Sequence, residues 1–308
     1  MPGETSFPFR LPERFANRLR WDNPEDPLVR QFLPIPEESR VVPGFVAEPL
    51  AERHFLRAPG LLHKYHGRAM LLLTSGCAVH CRFCFRRHGY PREIPHTLAG
   101  WEPACLWLER EASITEIIFS GGDPWILADA FLTALTHRLA RIPHLKRLRI
   151  HTRMPVVAPE RVGEGLITTL TATRLQPLVV IHVNHPDELD PAATLALARL
   201  SAAGVSLFSQ SVLLRGVNDR VEILEKLYTR LLDSRVVPYY LHLLDPVAGS
   251  AHFHIPETEA RSLMVALAAR LPGYAVPRLA REIPGAPGKV VLAAASPEKI
   301  HPGAESPV

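Results

Sequence analysis

Lysine is scarce in this sequence. Of the 35 basic residues among 308, only five are Lys, at positions 64, 146, 226, 289 and 299. Any chemistry that needs a primary amine on the chain therefore has five candidates. Long apolar runs are missing as well: no stretch approaches the roughly 18 residues of a transmembrane helix, so a helical membrane span is excluded. The opening MPGETSFPFRLPERF lacks the apolar centre of a signal peptide, and a cytoplasmic location is the default expectation. Charge is nearly balanced, with a formal net of +4. Without a basic stripe, that gives no reason to expect a nucleic-acid partner. Cysteine is sparse and unevenly placed, with three of the four residues inside C-A-V-H-C-R-F-C, as Cys77, Cys81 and Cys84. Clustered thiols without a secretion signal argue for metal rather than disulfides.

Proline is the excess, at 30 residues, and predicts interrupted elements and rigid loops. Hydrophobic residues make up 47% and charged residues 21%, ordinary globular usage that excludes wholesale disorder. Residues 1–60 are Pro-rich and charged, with helical stretches such as 24–33 and no clear strand, and read as an N-terminal extension. From Arg68 onward apolar strand candidates (69–74, 116–120, 147–151, 178–184, 205–213 and 236–243) alternate with helical patterns at 103–112, 128–140, 159–173, 191–203 and 220–233. Six βα repeats with near-continuous apolar strands predict a parallel sheet in a partial (β/α)6, TIM-like barrel over residues 61–250. Residues 251–308 add a helix at 257–271, the stretch R-E-I-P-G-A-P-G-K, a strand at 290–294 and a polar tail.

Polar groups follow every strand: Thr74-Ser75-Gly76-Cys77, Ser120-Gly121-Gly122-Asp123, His151-Thr152-Arg153, Asn184-His185, Arg215-Gly216-Val217-Asn218, and Asp245. Loops after the strands form the active face of a βα barrel, so an enzyme is expected. The spacing C-x3-C-x2-C alone leaves two metal readings open. One is a small zinc site completed by His80 or His88. The other is a [4Fe–4S] cluster on three thiolates with one iron left open. Cys105, in the helical W-E-P-A-C-L-W-L-E-R, reads as a small buried hydrophobe.

The three cysteines after the first strand, with Gly121-Gly122 one βα unit later, resemble the radical S-adenosylmethionine (SAM) superfamily. The stretch P-G-L-L-H-K-Y-H-G-R-A-M-L-L-L through C-A-V-H-C-R-F-C-F-R-R-H, with Asp26-Pro27-Leu28, Q-S-V-L-L-R-G-V-N-D, Y-Y-L-H-L-L-D and R-E-I-P-G-A-P-G-K, is similar to the lysine 2,3-aminomutase family. The likeness is to the short branch that modifies bacterial elongation factor P. The resemblance implies three cofactors: a [4Fe–4S] cluster on Cys77, Cys81 and Cys84, SAM beside Ser120, Gly121, Gly122 and Asp123, and pyridoxal phosphate (PLP) on Lys289. It places Lys64 and Arg68 at the PLP phosphate, Arg86 at the substrate carboxylate, and Asp245 with Glu282 at the distal ammonium of L-lysine. Arg87 is left a structural role. The implied reaction converts L-lysine to β-lysine, passed on to an elongation factor P ligase. The same chemistry on another amino acid such as arginine, or a zinc-stabilised binding protein, are the competing readings. The Gly-Ala-Pro-Gly before Lys289 is stiffer than the glycine run of the long enzymes, and Glu282 stands where they carry Asp.

Overall fold

The computed structural model describes residues 7–90 and 94–294; Lys299 and the polar tail lie outside them. The chain enters its sheet through two short strands, β1 (Leu56–Ala58) and β2 (Leu61–Tyr65), and β3 (Arg68–Thr74) pairs antiparallel with β2. From β3 on, each neighbour is parallel: β4 (Glu116–Gly121), β5 (Arg147–Thr152), β6 (Gln176–His182), β7 (Ser206–Val212), β8 (Val237–His242) and β9 (Arg278–Arg281). β10 (Val290–Val291) turns back antiparallel on β9. The ten strands lie in chain order across one sheet. Runs such as R-A-M-L-L-L-T and E-I-I-F-S-G suit this place because both faces are covered and few polar side chains must be buried.

Two short helices, α1 (Glu13–Ala16) and α2 (Pro27–Phe32), precede the sheet. The crossovers carry α3 (Glu102–Arg110), α4 (Asp129–Ala140), α5 (Met154–Val157), α6 (Glu164–Thr171), α7 (Pro191–Ala202), α8 (Val221–Asp233) and α9 (Glu257–Ala268). α8 shows why they dock. Leu224, Leu227, Tyr228 and Leu231 are buried at the i, i+3, i+4, i+7 spacing of a single helical face.

The partial α/β barrel stands with one more parallel strand than the six expected. β9 is only R-L-A-R, too short to show a period. The expected absence of strands before residue 61 fails at β1, whose three residues pair with β2. The strand expected at 290–294 is shorter, Val290–Val291, and antiparallel. The helix expected over 159–173 breaks into a 3-10 turn at Pro159–Arg161 and α6, because Gly163 and Gly165 are poor helix formers.

Side-chain contacts show how far the sheet curls. Lys64 and Tyr65 of β2 reach Glu282, the residue after β9, with Lys64 Nζ 2.7 Å from its carboxylate. In a flat sheet, seven strand spacings would hold β2 and β9 roughly 34 Å apart. The two edges therefore face each other across the barrel mouth.

The N-terminal extension fastens the cysteine loop. Asp26 caps α2 by accepting from the Leu28 and Val29 amides, with Pro27 at the first helical position. That sets Gln31 and Glu38 under the loop. Arg82 N donates to Gln31 O at 2.9 Å. The fully buried guanidinium of Arg82 forks onto Glu38 at 2.7 and 2.5 Å, and Arg87 donates to the same carboxylate. Arg87 is thus structural, as expected.

Candidate active site

The cysteine loop follows β3 and packs against the loop after β4. A side chain at Gly121, where φ is +116°, would meet Thr74 O at 2.5 Å, and one at Gly122 would collide with Gly76 O. Only glycine permits this contact. Gly122 N and Asp123 N donate to Thr74 O and Gly76 O, at 2.6 and 2.8 Å. The Gly-Gly pair therefore locks the two loops to each other. Ser120, the next-to-last residue of β4, is buried. Asp123 is engaged inward: its carboxylate accepts from Trp125 N (3.0 Å), Thr152 Oγ1 (2.8 Å) and Arg153 N (2.7 Å). These bonds hold the turn in place.

Cys77, Cys81 and Cys84 lie close enough to perturb one another. Burial pushes the Cys77 thiol well up, reinforced by Cys84, Asp123 and Cys81. Burial and then Cys81 push Cys84 up to about 11. A bound metal would supply the opposing charge that favours thiolates at such buried positions. One ring nitrogen of each nearby histidine contacts a backbone carbonyl: His80 Nδ1 with Pro8 O at 2.8 Å and His88 Nε2 with Ala248 O at 2.9 Å. Cys105 is buried in α3, away from the loop. Three thiols in one loop match the ligand set of a [4Fe–4S] cluster with an open iron.

Lys289 and Glu282 form the centre of a second cluster on the same face. Lys289 Nζ donates to Glu282 Oε1 at 2.5 Å; Lys64 Nζ and Tyr65 OH share Oε2. Burial opposes the Glu282 carboxylate, yet Lys289 and its other donors hold its pKa far below the usual range. Arg68 stacks on the Tyr65 ring at 4.8 Å, and Lys289 Nζ lies 5.6 Å from the Tyr240 ring centre. Lys64, Arg68, Lys289 and Glu282 thus lie together, drawn from segments far apart in the chain.

Asp245 lies three residues beyond β8, in a loop tied to the extension by Val46 N donating to Pro246 O at 2.9 Å. Burial raises its pKa to about 7, with Lys289 opposing the shift and Glu282 adding to it. Its carboxylate makes no hydrogen bond among the described residues. His151 and His242, at the ends of β5 and β8, are held neutral first by burial, then by cationic neighbours including Lys289.

Arg86 links the two clusters. Its Nε and Nη2 fork onto Glu52 at 2.8 and 2.6 Å, and Nη1 donates to Gly121 O at 3.0 Å. Sequence reasoning missed Glu52, Tyr65, Arg153 and Gln31. For Arg153 a signal existed, because His151-Thr152-Arg153 is a strand-end polar run; an isolated Glu or Gln in the extension carries none.

A curled parallel α/β sheet that gathers three thiols and a lysine–acid pocket at its strand ends is an enzyme's architecture. The chain is 47% identical over 286 residues to the L-lysine 2,3-aminomutase of Escherichia coli (strain K12), covering 93% of this chain and 83% of that one. It is 44% identical over 287 residues to the Haemophilus influenzae L-lysine 2,3-aminomutase, covering 93% and 85%. To the Clostridium subterminale enzyme it is 33% identical over 270 residues, covering 87% of this chain and 64% of that one. A solved radical SAM methyltransferase from Sphaerobacter thermophilus shares 23% identity at a TM-score of 0.49, over 72% of this chain and 68% of that one. No protein-family model matches. The chain belongs to the L-lysine 2,3-aminomutase family. This is a family of radical SAM isomerases that use a [4Fe–4S] cluster, SAM and PLP.

Proposed function

We propose that this protein converts L-lysine to β-lysine by moving the α-amino group to Cβ. The observation that supports the reading is the cluster in which Glu282 accepts from Lys289, Lys64 and Tyr65, with the buried Asp245 within the influence of their charges. When bound, the cluster and SAM supply hydrogen-atom abstraction, and PLP carries the migrating nitrogen.

Lys289 is the residue to hold PLP, with Lys64 and Arg68 as cations for its phosphate. Glu282 Oε1 loses its partner when Lys289 Nζ holds the cofactor, and it then accepts from the distal ammonium of lysine together with Asp245. Arg86 grips the substrate carboxylate. Glu52 holds Nε and Nη2 and Gly121 O takes Nη1, so these partners orient the guanidinium and the substrate carboxylate takes its remaining N–H groups or displaces part of this set. Burial around these groups excludes water and strengthens each charge–charge contact.

Anaerobic incubation with L-lysine, SAM, PLP and a reductant should give β-lysine, resolved by chiral chromatography. Turnover of arginine but not lysine would overturn the substrate assignment. Borohydride reduction of the PLP-loaded protein should leave a pyridoxyl label on Lys289; a label on Lys64 or Lys226 would overturn the pocket. Delivery of β-lysine to an elongation factor P ligase in the cytoplasm belongs to the same reading. Its support is the short-branch motifs, and among the described residues no helix is long and apolar enough to cross a membrane.

A further inference from the structure

Arg153, at the end of β5, is buried to 4% exposure and is shared among three partners. Nη1 donates to Cys81 Sγ at 2.8 Å, while Nη2 donates to Glu188 Oε2 at 2.6 Å and Gln31 Oε1 at 2.7 Å. The guanidinium stacks on Phe32 at 4.7 Å, with Phe83 5.8 Å away. Its acceptors are fixed in turn. Glu188 Oε1 accepts from the Asn184 and His185 amides, both at 2.9 Å, and from Gln31 Nε2 at 3.1 Å. Asn184 Nδ2 donates to Gln31 Oε1 at 2.9 Å. Its own amide is held by Asp123, so the Gly-Gly turn sets the Arg153 backbone.

A bidentate fork onto Glu188 would be the ordinary geometry of this ion pair. Here the fork is split, and one amino group is given to a sulfur. We propose that Arg153 is a positioning residue that raises the reduction potential of the cluster through its hydrogen bond to Cys81 Sγ. The inference rests on the cluster reading above. Reduction adds negative charge to a cluster, and hydrogen bonds to its sulfurs together with nearby charge govern how favourable that is. Glu188 offsets much of the guanidinium's charge at a distance. The N–H to sulfur contact acts directly on the ligand, in a dry environment that strengthens it. Because Gln31 belongs to the extension and Asp123 to the Gly-Gly turn, both segments fix the donor.

The test is an EPR-monitored redox titration of the anaerobically reconstituted protein without SAM or PLP, alongside iron and sulfide analysis. The variants are Arg153→Lys and the double variant Arg153→Met, Glu188→Gln, which leaves no buried charge unpaired. Both should keep their iron, and both midpoints should move to more negative potential, further in the double variant. A wild-type midpoint in either iron-replete variant overturns the proposal. Should the double variant not fold, Arg153→Lys alone decides, because it retains a cation for Glu188 while withdrawing the donor from sulfur. Wild-type protein that takes up no iron would defeat the cluster reading instead, a distinguishable result.

Discussion

At the residue scale, Asp245 is poised to titrate near neutrality. Its raised pKa of about 7 means that the group is an acid below that pH and an anion above it. Burial drives the shift, Glu282 and Glu52 add to it, and Lys289 and Lys64 oppose it. Recognition of a substrate ammonium needs the anion, so the KM for lysine should fall as pH rises through about 7. A KM flat between pH 6 and 8 would mean that other groups read the ammonium. Asp245→Asn should remove that dependence and lower kcat/KM by about one to two orders of magnitude, a loss of roughly 1.5–3 kcal/mol of charge-assisted hydrogen bonding. The iron content should not change, because the residue makes no contact with the cysteine loop. The positions of Asp245, Glu282 and Lys289 were legible from motif and from the scarcity of lysine. Their mutual pairing was not, because Lys64 and Glu282 are 218 residues apart in sequence and meet only once the sheet curls.

At the scale of elements, strands and crossovers were largely readable, since hydrophobic runs of six or seven residues carry their own signal. What escaped were the short edges, β1, β2 and β9, which exist because longer neighbours offer backbone partners. The role of the extension escaped too. Its Glu38 is buried under the cysteine loop and pairs with Arg82 and Arg87. Removing one partner of a buried ion pair strands the other charge, at a cost of about 3–5 kcal/mol. Glu38→Ala should therefore destabilise the fold by that order in chemical denaturation, and should loosen iron binding although residue 38 is no ligand. A stability loss below about 1 kcal/mol would show that the extension does not brace the loop. Alanine at Cys77, Cys81 or Cys84 should abolish iron uptake, whereas Cys105→Ala should retain it. Full iron loss in Cys105→Ala with the fold intact would break the ligand assignment.

At the scale of the whole molecule, the barrel is closed by side chains rather than by a strand pair. Among the described residues β1 pairs only with β2 and β10 only with β9, and the gap between the edges is spanned by Glu282 with Lys64, Tyr65 and Lys289. These groups are mostly buried, with Lys64 and Glu282 each 14% exposed. Their charge-assisted bonds should therefore contribute about 1.5–3 kcal/mol, more than a surface pair would. Glu282→Gln should lower the Tm of the PLP-free protein, by about 2–4 °C per kcal/mol for a large domain. PLP bound at Lys289 with its phosphate on Lys64 and Arg68 would bridge the same gap. Ligand linkage then predicts about 2.7 kcal/mol of added stability at a PLP concentration 100 times its Kd. Scanning calorimetry under anaerobic conditions should show this rise in wild-type protein and a much smaller one in Lys289→Ala. An equal rise in Lys289→Ala would place the cofactor elsewhere, and the barrel mouth would then need another means of closure.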